Sequence, residues 1–529
     1  MELTGRSFIG RQRGAGESAA FYGINPLTGA RLEPGYAEAG DDEIERAVQL
    51  AAQAAAPFAA ASGKQRAALL RRIAANLDAV AEPLVERAHA ESGLSLQRLQ
   101  GETARTTGQL RLFASILEDG SWVRARIDTA LPDRKPMPRP ALRSLLRPLG
   151  PVVVFGASNF PLAFSTAGGD TAAALAAGCP VIFKAHPAHP ATGEIVAVAI
   201  QQAIAAEQLP EGVFSLLYGL GNKLGLTLVL HPAVQAVAFT GSQRGGRALM
   251  DLAASRPQPI PCFTEMSSVN PLFVLPELLA ADPEGFAQNL FASFTLGSGQ
   301  FCTKPGLIFW TKMTGAEAFV AHLKKLVANA APLPLLTPGI AQAYTQLTGE
   351  RAKQAARVAE AKNSGEAPFC HAAPHLYSTT LADFQARPAL AEEIFGPTTL
   401  LIECPDLASY VRAAGALDGQ LTATLFGTEA DLAAQRELID VLATKAGRVI
   451  ANAFPTGVEV SHAMVHGGPY PAASDARFTS VGTRAIDRFV RPVCYQSLPD
   501  ALLPAELQDA NPLGILRLVD GKETRAAIG

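Results

Sequence analysis

Apolar and polar positions along the chain follow patterns of two kinds. Over residues 42–117, apolar residues recur every three to four positions, as in "RAALLRRIAANLDAVAEPLVERAHAES". This spacing predicts amphipathic helices. Acidic residues in "DDEIERAV" stand at the start of the first helical stretch, as is typical of a helix N-terminus. We therefore expect a group of helices that covers another part of the fold.

From residue 151 onward, short β-rich runs alternate with alanine-rich runs. "PVVVFGAS" precedes "TAGGDTAAALAAG", "PVIFKA" precedes "ATGEIVAVAIQQAIAA", and "VQAVAFTGS" precedes "GGRALMDLAA". This alternation predicts βαβ units on a parallel sheet that is buried on both faces. Such sheets bind ligands beyond the carboxyl ends of their strands, so the loops at 156–161, 184–187 and 239–246 are candidate binding loops.

Three other parts of the chain follow different patterns. The connection before residue 150 is rich in proline, and its "RSLLRP" run predicts an exposed strand or arm, for which subunit contact and a plain linker are both open interpretations. A second α/β region begins beyond residue 265. The final residues, 500–529, have too little periodicity to predict an element.

Length and charge narrow the class of protein. A chain of 529 residues exceeds the size of one hydrophobic core, so two or three domains are expected. The net charge of −3 does not favour binding to nucleic acid or to an anionic membrane surface. The first residues lack the apolar core of a signal peptide, and the sequence has no membrane-length apolar run. We expect a cytoplasmic protein.

Cysteine and histidine spacing gives little support for a metal site. The six cysteines show no C-x-x-C spacing, so neither a disulfide framework nor a zinc site is indicated. Two histidine pairs, His186 with His189 and His462 with His466, have spacings that a metal could use but no companion cluster. Hydrogen bonding within loops is the alternative, and we predict no metal.

One cysteine stands in an unusual setting. Cys302 lies in "GSGQFCTKPG", where glycines allow close approach of a ligand and Pro305 marks an irregular connection. The pattern favours a thiol presented to a ligand, although a buried structural cysteine is an equal alternative. The loop "FTGSQRGG" at 239–246 would suit a phosphate at a helix N-terminus, or serve only as a tight turn.

Six motifs, in order, resemble the aldehyde dehydrogenase superfamily. They are "SNFP" at 158–161, "FTGS" at 239–242, "TEMSSVNP" at 264–271, "GQFCTKPG" at 299–306, "EEIFGP" at 392–397 and "GGPYPAASD" at 467–475. The resemblance implies an α/β fold with a Rossmann-type cofactor domain, an α/β catalytic domain and a small oligomerisation arm. The implied bounds are 1–117 with 150–264, then 265–475, then 118–149 with 476–499, and 500–529 as a C-terminal extension.

The same resemblance implies roles for three residues. Cys302 matches the catalytic nucleophile, Asn159 the side-chain donor to the oxyanion, and Glu265 the general base. A thiol is a strong nucleophile, and an oxyanion needs donors already in place. Without the family context, Asn159 would be interpreted as a turn residue and Glu265 as a surface carboxylate.

On the cofactor side, the resemblance implies contacts from six residues. These are Lys184, Gly241, Ser242, Gly246, Glu393 and Phe395. NAD-preferring relatives commonly carry a glutamate three residues after the lysine, where this chain has Pro187. The change favours NADP, with NAD as a second cofactor. Lys223 or Arg244 would supply charge to a 2′-phosphate, or each would be a solvated surface residue.

The substrate class also follows from resemblance. "KAHPAHP", "FCTKPG" and the stretch from "FPTGVEV" to "FTSVGT" most resemble members that oxidise 2,5-dioxovalerate (α-ketoglutaric semialdehyde) to 2-oxoglutarate. The alternatives are a broad NADP-dependent aliphatic aldehyde dehydrogenase and, from another class, a thiol hydrolase or a non-catalytic binding protein. The family implies a homodimer or homotetramer with no nucleic-acid or membrane partner.

Overall fold

The structure is a computed structural model that describes residues 2–16, 18–361 and 369–528. Two seven-stranded sheets dominate these residues, and a separate five-stranded sheet forms an arm. Over the described ranges, no helix is long and apolar enough to cross a membrane.

The N-terminal half of the chain builds the first large sheet, whose strand order is β11-β10-β7-β8-β9-β1-β2. In chain order, the helices and strands of this half are β1 (Phe8–Ile9), β2 (Gln12–Arg13), β3 (Phe21–Ile24), β4 (Arg31–Tyr36), α1 (Asp41–Ala60), α2 (Gly63–Ala79), α3 (Ala81–Ser92), α4 (Leu96–Asp119), β5 (Arg126–Asp128), β6 (Leu142–Pro148), β7 (Val152–Phe155), α5 (Gly169–Ala177), β8 (Val181–Lys184), α6 (Pro190–Ala206), β9 (Phe214–Leu217), α7 (Lys223–Leu230), β10 (Ala236–Thr240), α8 (Gln243–Ser255) and β11 (Cys262–Glu265). Strands β7 to β11 pair in parallel, which confirms the predicted βαβ units.

The C-terminal half builds the second large sheet, whose strand order is β15-β17-β18-β13-β12-β19-β20. In chain order, the helices and strands of this half are β12 (Leu272–Val274), α9 (Pro276–Ala281), α10 (Pro283–Thr295), β13 (Leu307–Thr311), α11 (Ala316–Ala328), β14 (Leu333–Pro334), α12 (Pro338–Ala352), β15 (Ala356–Glu360), β16 (His371–Ala372), β17 (His375–Thr380), α13 (Leu381–Ala386), β18 (Thr398–Cys404), α14 (Ala408–Ala416), β19 (Gln420–Phe426), α15 (Glu429–Ala434), α16 (Arg436–Lys445), β20 (Ala446–Ala451), β21 (Val490–Gln496), β22 (Arg517–Val519) and β23 (Lys522–Thr524).

Both faces of the first sheet are buried because its strands are apolar at successive positions. Val153 and Ile182 pack in one apolar cluster, whereas Val154 and Phe183 pack in another. Neighbouring residues of a strand point to opposite faces, so both faces must be covered by helices. The continuous apolar runs in the sequence reflect this two-sided burial.

The arm sheet has the strand order β21-β6-β5-β22-β23. The "RSLLRP" run is an antiparallel strand, β6, paired with β21 over its whole length. Strand β22, from the C-terminal residues for which no element was predicted, lies parallel to β5. Leu503, Leu507 and Ile515 are buried there with Leu145. The C-terminal residues therefore complete the arm, and subunit contact through the arm stays a prediction.

Candidate active site

The strands of the first sheet bring the expected site residues to one edge. Parallel pairing sets Phe155 beside Lys184 at the ends of β7 and β8. The same pairing sets Thr240 beside Glu265 at the ends of β10 and β11. Because β7 lies next to β10, the loop with Asn159 and the glycine-rich loop emerge at this same edge. This is the carboxyl edge, where parallel sheets bind ligands.

Cys302 comes from the other half of the chain, in a loop between a 3₁₀ turn and β13. Gly299 has a φ of +68°, and a Cβ atom there would lie 2.3 Å from the carbonyl group of Gly396. Only glycine fits such a close approach at this φ. Asn270 Nδ2 donates to the carbonyl of Cys302 at 2.8 Å. The loop is thus fixed on both sides of a half-buried thiol.

The side chain of His466 lies between the Cys302 thiol and the Glu265 carboxylate, the two groups predicted to be the nucleophile and the base. Its Nε2 atom is 3.5 Å from Cys302 Sγ and 2.8 Å from Glu265 Oε1. The other carboxylate oxygen, Oε2, accepts a hydrogen bond from Ser480 Oγ. One donor atom from each of Glu265, Cys302 and His466 lies within 4.8 Å of the others. A carboxylate, a thiol and an imidazole at these distances also match the ligands of a metal ion, whereas the cysteine and histidine spacing in the sequence predicts no metal.

Burial and nearby polar groups act in opposite directions on the pKa of Glu265, whereas burial and nearby charges both raise the pKa of Cys302. Burial alone would raise the pKa of Glu265, but His466 and the Ser480 hydroxyl outweigh it and the pKa is lowered. Burial raises the pKa of the Cys302 thiol well above its ordinary value, and the charges of Glu265 and Glu393 raise it further. The thiol therefore stays protonated in the resting site, and its reaction needs a nearby proton acceptor.

Asn159 is held beside the nucleophile by two hydrogen bonds. Its side-chain Nδ2 donates to the carbonyl of Gln300 at 2.9 Å, two residues before Cys302. Its own backbone carbonyl accepts from Arg98 Nη2 at 2.7 Å. An amide nitrogen carries two hydrogens, so the second N–H group is left for an oxyanion.

A cavity of about 270 Å³ reaches Cys302. Its lining residues are Arg98, Gly101, Glu102, Arg105, Phe160, Phe164, Phe301, Cys302, Thr303, Gly457 and Val458. Aromatic rings supply its apolar wall, and helix α4 supplies the charged residues. The cavity therefore suits a small substrate with one charged end.

The loop after β10 and the end of β8 form the expected cofactor side. Ser242 is the N-cap of α8, and its hydroxyl accepts from the Gly245 N–H at 3.2 Å. A Cβ atom on Gly246 would lie 2.6 Å from Met266 Sδ, so a side chain there would disturb the packing of α8. Burial lowers the pKa of Lys184 to about 8, and nearby Glu38 partly opposes this shift.

Three further residues were candidates for contact with the cofactor, namely Glu393, Phe395 and Lys223. Burial raises the pKa of Glu393 to about 7, and the nearby charge of Lys304 partly opposes this shift. Phe395, in the same segment, is half-buried. Lys223 forms an exposed ion pair with Asp41 at 2.8 Å, and this pairing favours the surface role for the lysine.

The remaining candidates lie in loops. Arg244 is exposed, and Pro187 is half-buried. His189 Nε2 lies 2.9 Å from the carbonyl of Ala157, and its ring stacks on that of His186 at 5.2 Å between centres. The hydrogen bond of His189 and the stacking of the two rings are contacts within loops, which the sequence analysis gave as the alternative to a metal site.

Two features of this site were not predicted from the sequence. His466 was considered only with His462 as a possible metal pair, and Arg98 and Arg105 were not named. A signal was present, since His466 directly precedes the "GGPYPAASD" motif. Its contact with Cys302, 164 residues away in sequence, depends on the tertiary fold.

Known proteins of similar sequence and fold are aldehyde dehydrogenases. The sequence model of the aldehyde dehydrogenase family matches residues 15–472 of this chain. Alpha-ketoglutaric semialdehyde dehydrogenase 2 of Azospirillum brasilense is 49% identical over 523 residues, covering 99% of this chain and 100% of that protein. Alpha-ketoglutaric semialdehyde dehydrogenase of Acinetobacter baylyi is 49% identical over 527 residues, covering 99% of each. The fold resembles 1-pyrroline-5-carboxylate dehydrogenase from Thermus with bound NAD, with a TM-score of 0.78, 21% identity and coverage of 93% of this chain and 92% of that one.

Proposed function

Because the chain belongs to the aldehyde dehydrogenase family, whose members oxidise aldehydes with NAD or NADP, we propose that it oxidises 2,5-dioxovalerate to 2-oxoglutarate. The observation that carries the proposal is the position of Cys302 at a small cavity, beside His466 and close to Glu265. The names of two relatives that match almost the whole chain support the substrate.

The first step is attack by Cys302 on the aldehyde carbon. The thiol gives its proton to solvent water, sulfur bonds to the aldehyde carbon, and the carbonyl oxygen becomes the oxyanion of a thiohemiacetal. The free N–H of Asn159 and the backbone N–H of Cys302 are the proposed donors to that oxyanion. Such a donor typically lowers the barrier by about 3 kcal/mol.

The cofactor is proposed to lie at the carboxyl edge of the first sheet. Within the described part of the chain, the side-chain ammonium group of Lys184 has no hydrogen-bond or ion-pair partner, so it is available to a polar ligand. Lys184 and Ser242 would hold the adenosine side, and Glu393 and Phe395 the nicotinamide side. When bound, the dinucleotide supplies the hydride acceptor that makes the reaction an oxidation.

Release of the acid requires water. Glu265 is the proposed base, because its lowered pKa keeps the carboxylate ionised at neutral pH. It would take a proton from water as the oxygen attacks the thioester on Cys302, and the thiol then leaves. The products are the carboxylic acid and the free enzyme.

His466 is proposed to assist formation of the thiolate. Its Nε2–H would lie between Cys302 Sγ and Glu265 Oε1, at the distances already given, and would donate to the developing thiolate. His466→Gln keeps a polar side chain of similar size but lacks the ring that holds this N–H group in place. We expect alkylation of Cys302 by iodoacetamide at pH 7 to slow by about tenfold, which corresponds to ~1.4 kcal/mol. An unchanged pH profile of alkylation would remove His466 from this role.

A kinetic comparison of substrates tests the proposed function. We expect kcat/KM for 2,5-dioxovalerate to exceed that for pentanal by about tenfold or more, because the charged cavity favours the acid. NADP should serve at least as well as NAD, because Pro187 places no carboxylate against a 2′-phosphate. A preference for pentanal would favour a broad aliphatic enzyme. Absence of reduced cofactor with every aldehyde would instead favour a thiol hydrolase or a binding protein.

A further inference from the structure

The wall of the Cys302 cavity that belongs to helix α4 carries three charged residues. Arg98, Glu102 and Arg105 are spaced by four and three residues, so they lie on one face of the helix. All three line the same cavity as Cys302. The cavity wall thus carries two guanidinium groups and one carboxylate. Whether a guanidinium can bind a substrate anion depends on whether it is already paired with another group of the protein.

Glu102 does not pair closely with either arginine. Its Oε1 accepts from the backbone N–H groups of Leu162 and Ala163 at 2.9 and 3.0 Å. Burial raises the pKa of Glu102, and the nearby charges of Arg98 and Arg105 partly oppose this shift. Its carboxylate is therefore engaged in holding the loop that follows β7, and it leaves the guanidinium groups without a bonded counter-ion.

Arg98 already has a structural task. Its Nη2 donates to the Asn159 carbonyl at 2.7 Å. Its guanidinium carbon lies 5.0 Å from the ring centre of Phe160 and 4.6 Å from that of Phe301. These contacts fix the position of Asn159 and of the segment before Cys302. Substitution of Arg98 would thus disturb the nucleophile itself.

Arg105 differs, because most of its hydrogen-bonding capacity is unused. Its Nε donates to the Val458 carbonyl at 3.3 Å, and its guanidinium carbon lies 4.9 Å from the Phe164 ring centre. Both terminal nitrogens, Nη1 and Nη2, are buried and have no hydrogen-bond partner in the described chain. Buried guanidinium N–H groups without partners are rare and costly, so their retention needs an explanation.

We propose that the two terminal nitrogens of Arg105 bind the carboxylate of the substrate. This inference rests on the proposed function, and it defines the substrate class as short aldehydes with a carboxylate at the far end. A guanidinium presents two parallel N–H groups that match the two oxygens of a carboxylate. The Nε bond to Val458 and the contact with Phe164 would hold the group in place before the substrate arrives.

Arg105→Gln tests the assignment by separating binding from chemistry. For succinate semialdehyde and 2,5-dioxovalerate, we expect KM to rise about thirtyfold or more, because one charge-assisted bidentate contact is lost. For the neutral aldehydes butanal and pentanal, kcat and KM should stay within about threefold of wild type. Arg71→Gln, which removes an exposed guanidinium on α2 that pairs with Glu118 of α4 at 2.7 Å, is the matched control and should change neither KM nor kcat.

The outcomes distinguish this inference from the proposed function. Equal losses with charged and neutral aldehydes would mean that Arg105 only supports the fold, and no loss would mean that it does not bind substrate. Either result overturns the proposal. A wild-type enzyme that does not favour 2,5-dioxovalerate would overturn the proposed function alone, since the succinate semialdehyde and butanal pair still tests Arg105. If Arg105→Gln does not fold, Arg105→Lys, which keeps the charge but loses the two-pronged geometry, should show the same selective rise in KM.

Discussion

Cys302→Ser is expected to abolish aldehyde oxidation, with a loss in kcat on the order of 10⁴-fold or more. The hydroxyl is a far weaker nucleophile than a thiolate at neutral pH, while it occupies a similar volume. The site offers little compensation, since burial and the charge of Glu265 already make ionisation of a group at this position unfavourable. Steady-state formation of reduced cofactor with 2,5-dioxovalerate measures the effect.

Cofactor binding by the same variant provides the control. Cys302 lies in a loop held by Asn270 and Gly299, and neither contact uses the sulfur atom. Binding of NADP, measured by quenching of protein fluorescence, should therefore match wild type. Substantial turnover by a serine variant that binds cofactor normally would show that another group is the nucleophile.

Glu265→Gln is expected to separate the two halves of the reaction. Removal of the negative charge beside Cys302 lowers one barrier to thiolate formation, because that charge raises the pKa of the thiol. The first half-reaction should thus proceed, whereas thioester hydrolysis loses its base and slows by about 10²–10⁴-fold. Stopped-flow absorbance should show one equivalent of reduced cofactor and then a slow phase. Equal burst and steady-state rates at the wild-type level would exclude Glu265 as the base.

Much of the fold follows from local patterns in the sequence. The strands β7, β8 and β10 are continuous apolar runs next to alanine-rich helices, and both features depend on residues close in sequence. Strands β22 and β23 have three residues each, too few to show a period. They are strands because β5 offers an edge for pairing, and only the folded chain brings β5 to them.

Some residues of the site could be predicted from the sequence, and others could be identified only in the folded chain. Cys302, Glu265 and Asn159 each lie in a motif, so resemblance was sufficient to name them. Arg105 lies in none of the motifs, and the motif that follows His466 does not show which atoms its imidazole contacts. His466 is identified by the 3.5 Å between its Nε2 atom and Cys302 Sγ. Arg105 is identified by its two terminal nitrogens, which have no hydrogen-bond partner among the described residues.

The thioester on Cys302 is tested most directly by the mass of the Cys302 peptide in Glu265→Gln, quenched in acid after mixing with 2,5-dioxovalerate and NADP. We expect this peptide to carry the acyl group of 2-oxoglutarate, hydroxylamine to remove that group as it removes a thioester, and the amount of adduct to equal the reduced cofactor formed. Reduced cofactor without an adduct, or an adduct on a different residue, would contradict the assignment of Cys302 as the nucleophile that forms the thioester.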